Sequence, residues 1–129
     1  MILDSSAIVA ILRAEPEAQA YAKAIASSAT CSVSAVSYVE AAVVIDSSRD
    51  PVASRRFDDF FRASPIEIQT LTPSQAEIAR QAYRDFGRGR HKARLNFGDC
   101  FAYALAKEKG EPLLFKGEGF RHTDVEPAS

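Results

Sequence analysis

A strand with one wet face alternates polar and apolar side chains, whereas one that runs apolar on consecutive positions is dry on both faces. Residues 1–3 (MIL) and 112–116 (PLLFK) are of the second kind, and residues 30–34 (TCSVS) read as a third buried strand. A strand dry on both sides needs a helix above it and another below. Helical patterns do lie between these segments, so the chain is committed to an α/β fold: a central, mainly parallel sheet with helices on both faces.

The helices follow from periodicity and punctuation. Residues 7–14 (AIVAILRA) read as helical. Pro16 suits the first position of a second helix, in which Ala18, Tyr21, Ala22, Ile25 and Ala26 share a face. Residues 35–46 form a helix rich in valine and alanine, and Asp50 with Pro51 opens another that turns Ala53, Phe57, Phe60 and Phe61 inward. Residues 66–71 (IEIQTL) alternate as a strand. Thr72, Pro73 and Gln75 spell a capping box with proline at the first helical position. The helix behind them buries Ala76, Ala79, Ala82, Tyr83 and Phe86 and ends at Gly87. A basic loop leads to a helix over 97–109, with Phe97, Phe101 and Leu105 one turn apart, closed by Gly110. No linker or repeat interrupts the pattern, so residues 1–129 are expected to form a single domain.

Composition narrows the setting. Of the 129 residues 47% are apolar, enough for a core of ordinary size. No stretch has the length and apolarity of a membrane span, and the N-terminus lacks the pattern of a secretory leader. A cytoplasmic protein is expected. Cys31 and Cys100 stand in no metal-type spacing and read as small buried hydrophobes in a reducing compartment. The net charge of −1 exerts no global pull on nucleic acid, so any such affinity must come from a local patch.

Four acids fall where a parallel sheet places its ligands, outside the carboxyl ends of the strands. Asp4 follows the first strand, and Glu40 lies in the helix after the second. Glu118 follows the last strand, and Asp99 sits in the first turn of the helix leading into it. Asp99 joins the others only if its helix starts at that edge. Each acid also has a purely structural explanation. Asp4 can cap the helix beginning near Ser5, Asp99 favours a helix dipole, and Ser37 with Glu40 has capping-box spacing. Glu40 resists that account most, because Val36 and Val44 flank it one turn away on either side and no lysine or arginine is near in sequence. Converging carboxylates repel and raise one another's pKa values. A divalent cation relieves both problems, and an all-oxygen donor set suits Mg²⁺ or Mn²⁺ rather than zinc.

The segments MILDSSAIVAIL, SAVSYVEAAVV, LNFGDCFAYALAKEKGEPLLFKGEGF and TDV together resemble a PIN domain, and within it the VapC-type toxins of toxin–antitoxin pairs. The resemblance spans essentially the whole chain, and LNFGDCFAYALA followed by PLLFKG is its most specific part. It implies a three-layer α/β/α sandwich and a metal-dependent endoribonuclease using Mg²⁺ or Mn²⁺. It also implies a homodimer, inhibited by a VapB-like antitoxin. Asp4, Glu40 and Asp99 match the family's site acids, and Ser6 matches a polar position that supports the metal site. One departure stands out. Where the family commonly has an aspartate just before the phenylalanine, this chain has Gly119, with Glu118 one residue earlier. Glu118 or Asp124 is then the fourth carboxylate, and the reach of Glu118 between two glycines favours it. The alternative is a decayed, non-catalytic PIN-like module that binds RNA.

On this reading Asp4 and Asp99 are the principal ligands, and Glu40 holds a second ion or orients the water. Arg88, Arg90, Lys92 and Arg94, with His91 among them, put positive charge just before the Asp99 helix, where it can draw in an RNA backbone. A solvated surface loop is the plainer explanation. Gly87 and Gly89 predict that the loop orders only on binding. Two other acidic Mg²⁺-binding folds fail on their own requirements. A receiver domain needs an aspartate ending a middle strand, and a haloacid-dehalogenase-type phosphatase needs one two residues after the first, where Ser6 stands.

Overall fold

A computed structural model describes all residues 1–129. Four strands, β1 (Ile2–Leu3), β2 (Cys31–Ser34), β3 (Ile66–Gln69) and β4 (Leu113–Leu114), pair in the order β3-β2-β1-β4, every pair parallel. Consecutive side chains of β1 and β4 feed opposite faces. Ile2 and Leu113 pack with α5 (Pro73–Phe86) and α6 (Phe97–Lys109). Leu3 and Leu114 pack with α1 (Ser5–Leu12), α2 (Ala18–Ser27), α3 (Ala35–Asp46) and Phe57 of α4 (Pro51–Ala63). Two separate cores on the two faces of one sheet make the three-layer α/β/α sandwich expected from strands dry on both sides.

Local signals set most boundaries. Asp50 and Thr72 cap α4 and α5 with proline at the first position, and Gly110 ends α6 in the left-handed conformation at φ 64°. Both cysteines are free and buried. The buried face of α5 is narrower than expected, with Ala76 and Tyr83 exposed, and three readings of boundaries and caps need correction. The helix expected at Pro16 begins only at Ala18, because residues 13–17 form turns in which Ala14 takes φ 52°. Ser37 and Glu40 are not a capping box: Ser34 caps α3, which places Glu40 in its second turn. The Thr72 box is only half formed, since the Gln75 side chain donates to Glu108 instead of returning to the Thr72 backbone.

The strand order decides where a site can be. The chain steps from β1 to β2 to β3 in one direction, then crosses to the other side of β1 for β4. That reversal opens a crevice at the carboxyl end of β1, the position such sheets use for ligands. Because α6 leads into parallel β4, it runs against the strands and starts at that same edge.

Candidate active site

Asp4 ends β1 and caps α1. Its Oδ2 accepts from the Ser6 amide (3.0 Å) and the Ser6 hydroxyl (2.5 Å). The Ser6 oxygen accepts in turn from the Lys116 amide at 3.0 Å, and the Asp4 amide donates to Leu114 O at 2.9 Å. The cap is satisfied by one oxygen alone. Asp4 is 2% exposed, and its Oδ1 is buried with no hydrogen-bond partner. An unpartnered carboxylate oxygen in that setting is costly. Burial therefore pushes the Asp4 pKa up to about 7, and the nearby charges of Asp99 and Glu40 push the same way, against the Ser6 hydrogen bonds.

Asp99 stands at the third position of α6 and forms a reciprocal capping box with Asn96 (2.8 and 2.9 Å). Its pKa is also raised, first by burial and then by Glu40, with the Asn96 amide opposing. Glu40 reaches over from α3, and its Oε1 accepts from the Ser5 hydroxyl at 2.6 Å. The three acids, from the end of β1, the second turn of α3 and the start of α6, thus share one electrostatic environment. None of them has a lysine or arginine partner. Lys116, whose amide bonds Ser6, turns its ammonium to Glu15 (3.0 Å) and Glu17 (3.1 Å).

The donor set fits a hard divalent cation: all oxygen, one ligand atom buried without a partner, and no compensating cation. The acids do not form a closed cage, for nowhere do three acidic, histidine or cysteine side chains stand close enough to enclose an ion. Such openness suits Mg²⁺, which keeps several waters and takes few carboxylates.

The remaining expected residues are placed differently. Glu118 is exposed on the turn before a 3₁₀ segment (Gly119–His122), and its charge is not among those acting on Asp4. Asp124 lies elsewhere. It accepts from the Tyr103 hydroxyl (2.6 Å) and Lys107 (3.0 Å), one and two turns along α6 from Asp99, so it latches the tail to the helix rather than supporting the acids. Arg88, Arg90, His91, Lys92 and Arg94 line one depression to which no hydrophobic residue contributes, and none of them is ion-paired. Within the loop the Arg90 and His91 amides donate to Gly87 O, the Leu95 amide donates to Phe86 O, and Ala93 and Leu95 are buried. Sequence reasoning missed Ser5, although a second hydroxyl beside the Asp4 cap was the available signal.

The chain matches the PIN domain family over residues 1–126. It is 52% identical over 129 residues to Ribonuclease VapC28 of Mycobacterium tuberculosis, covering 99% of this chain and 97% of that one. It is 47% identical over 125 residues to Ribonuclease VapC of Mycolicibacterium smegmatis, covering 97% of each. Among solved structures, the fold is shared with Mycobacterium tuberculosis VapC20, described as a Sarcin-Ricin loop cleaving toxin (TM-score 0.72, 18% identity, 98% of each chain). It is shared too with VapBC2 from Rickettsia felis bound to a DNA fragment from their promoter (TM-score 0.73, 13% identity, 98% of this chain and 95% of that one).

Proposed function

The chain belongs to the PIN domain family, among its VapC-type toxins, and on that premise we propose that it is an endoribonuclease whose chemistry depends on Mg²⁺ or Mn²⁺ held by Asp4, Glu40 and Asp99. The observation that carries this reading is Asp4, buried at the sheet's switch point with one oxygen unpartnered and two further acids acting on it. When bound, the cation supplies a water of lowered pKa and neutralises charge developing on the phosphate. The chain's own residues do the rest. Ser6 and the Lys116 amide fix the Asp4 carboxylate with Oδ1 free. Asn96 fixes Asp99 through one oxygen and leaves the other to ligate. Glu40 either ligates or takes a proton from the attacking water. Glu118, exposed two residues beyond Lys116, takes part through bound water rather than directly.

The exposed basic loop binds the RNA backbone. A VapB-like antitoxin is the partner protein, and a second copy of the chain completes a dimer. Uncovered Val39, Val43, Leu71 and Phe97 beside Glu40 support a protein contact on that side. No helix is long and apolar enough to cross a membrane, and the proposed setting is the cytoplasm. Purified protein should cleave RNA with added Mg²⁺ or Mn²⁺ and stop in EDTA. Cleavage that persists in excess chelator, and equally in an Asp99→Asn preparation, would overturn the reading.

A further inference from the structure

Glu40 lies directly across the first turn of α6. A Cβ built at Gly98 would stand 2.5 Å from Glu40 Cδ and 2.7 Å from Oε1, and nearer still to Oε2. Real side chains do not approach so closely, so the room taken by the Glu40 carboxylate is the room left by the missing side chain of residue 98. Torsion gives no reason for a glycine there. Gly98 is an ordinary buried position in the first turn of a helix, and glycine is among the poorest helix formers. On its other side the same carboxylate is held by the Ser5 hydroxyl at 2.6 Å. A glutamate has three rotatable bonds, and an exposed one samples many rotamers. Here one end is pinned and one side walled by bare backbone.

We propose that Gly98 and Ser5 are positioning residues, a cradle that holds the Glu40 carboxylate against the start of α6 beside Asp99 and Asp4. Gly98 acts by leaving space and Ser5 by its hydrogen bond. The inference rests on the reading of Glu40 as an active-site acid, and it adds two residues that act through Glu40. It also explains why the overlap is functional rather than structural. The atoms that a methyl at residue 98 would displace belong to the end of a flexible side chain, not to backbone. Gly98→Ala should therefore move Glu40 and leave the helix alone.

The test is a double-mutant cycle between Gly98→Ala and Glu40→Asp, with Glu40→Gln as the reference. Shortening Glu40 by one methylene removes the atoms that the new methyl would meet. Gly98→Ala is expected to keep the wild-type melting temperature or raise it, yet to lower the turnover rate on RNA by about 100-fold, with KM little changed, as a misplacement of about an ångström does. It should also shrink the melting-temperature rise that Mn²⁺ gives the wild type, a readout independent of cleavage. Ser5→Ala should act in the same direction and less strongly. In the Glu40→Asp background Gly98→Ala should cost almost nothing further, because both changes act on one carboxylate. Full additivity in the cycle overturns the cradle, even if Gly98→Ala proves unstable. Wild-type turnover in Gly98→Ala beside an impaired Glu40→Gln overturns the cradle and leaves the reading of Glu40 standing. Wild-type turnover and Mn²⁺ response in Glu40→Gln overturn that reading and the cradle together.

Discussion

Asp4→Asn isolates what the acid cluster costs the metal-free fold. The folded protein holds the Asp4 carboxyl protonated up to about pH 7, whereas the unfolded chain releases that proton near its ordinary 3.8. The sign follows directly. Between those values the native state binds more protons than the unfolded state, so stability falls as pH rises. The contribution is present in full below about pH 4 and is lost through pH 7. At 1.36 kcal/mol for each pH unit, the share lost between pH 5 and pH 8 is about 3 kcal/mol, or roughly 10 °C in melting temperature for a domain of this size. Asparagine keeps an oxygen for the Ser6 amide, so the cap of α1 survives while the titration disappears. Calorimetric melts in EDTA from pH 5 to pH 8 should therefore show a steep decline for wild type and a much shallower one for Asp4→Asn, the remainder belonging to Asp99. Added Mg²⁺ at pH 8 should restore wild type and not the variant. Parallel pH slopes for the two proteins would refute the argument, because they would mean that Asp4 ionises in the fold as easily as in water.

Replacing Arg88, Arg90 and Lys92 by alanine should weaken RNA binding and lower the log–log salt slope by about 0.7 for each phosphate no longer neutralised, measured by fluorescence anisotropy at several salt concentrations; an unchanged slope would place the RNA elsewhere. Glu118→Gln should raise the Mn²⁺ concentration for half-maximal cleavage by less than the roughly tenfold of a lost outer-shell partner, with maximal rate intact. Asp124→Asn should leave cleavage untouched but cost about 1 kcal/mol in urea unfolding, through the weakened hydrogen bonds to Tyr103 and Lys107.

The layered fold was legible because both of its signals are local. Dry strands and amphipathic helices declare themselves over a handful of residues, and the caps at Asp50, Thr72 and Asn96 fix where helices start. Asp4 and Asp99 were legible for a related reason: each sits at a junction between elements whose type the local pattern determines. Each cap occupies a single oxygen, so capping leaves the other free for the proposed site role. What the sequence hid is long-range. Nothing near Asp124 announces that Tyr103 and Lys107 will meet it, and nothing near Gly98 announces Glu40, which lies on another helix far back in the chain. The start of α2 was misplaced because Pro16 suits a turn as well as a helix.

The Asp4 pocket is closed by the two outermost segments of the chain. Strand β1 is made first, but Asp4 acquires its amide partner only when Leu114 pairs beside it, and Ser6 acquires its second bond only from Lys116. Asp99, too, precedes β4 by just one helix. During synthesis the ribosome therefore carries a chain that already contains most of the hydrophobic core but lacks one wall of the proposed site. A prematurely stopped chain ending before β4 would leave the Asp4 amide and the Ser6 oxygen without these partners, and on the proposed reading it should not cleave RNA.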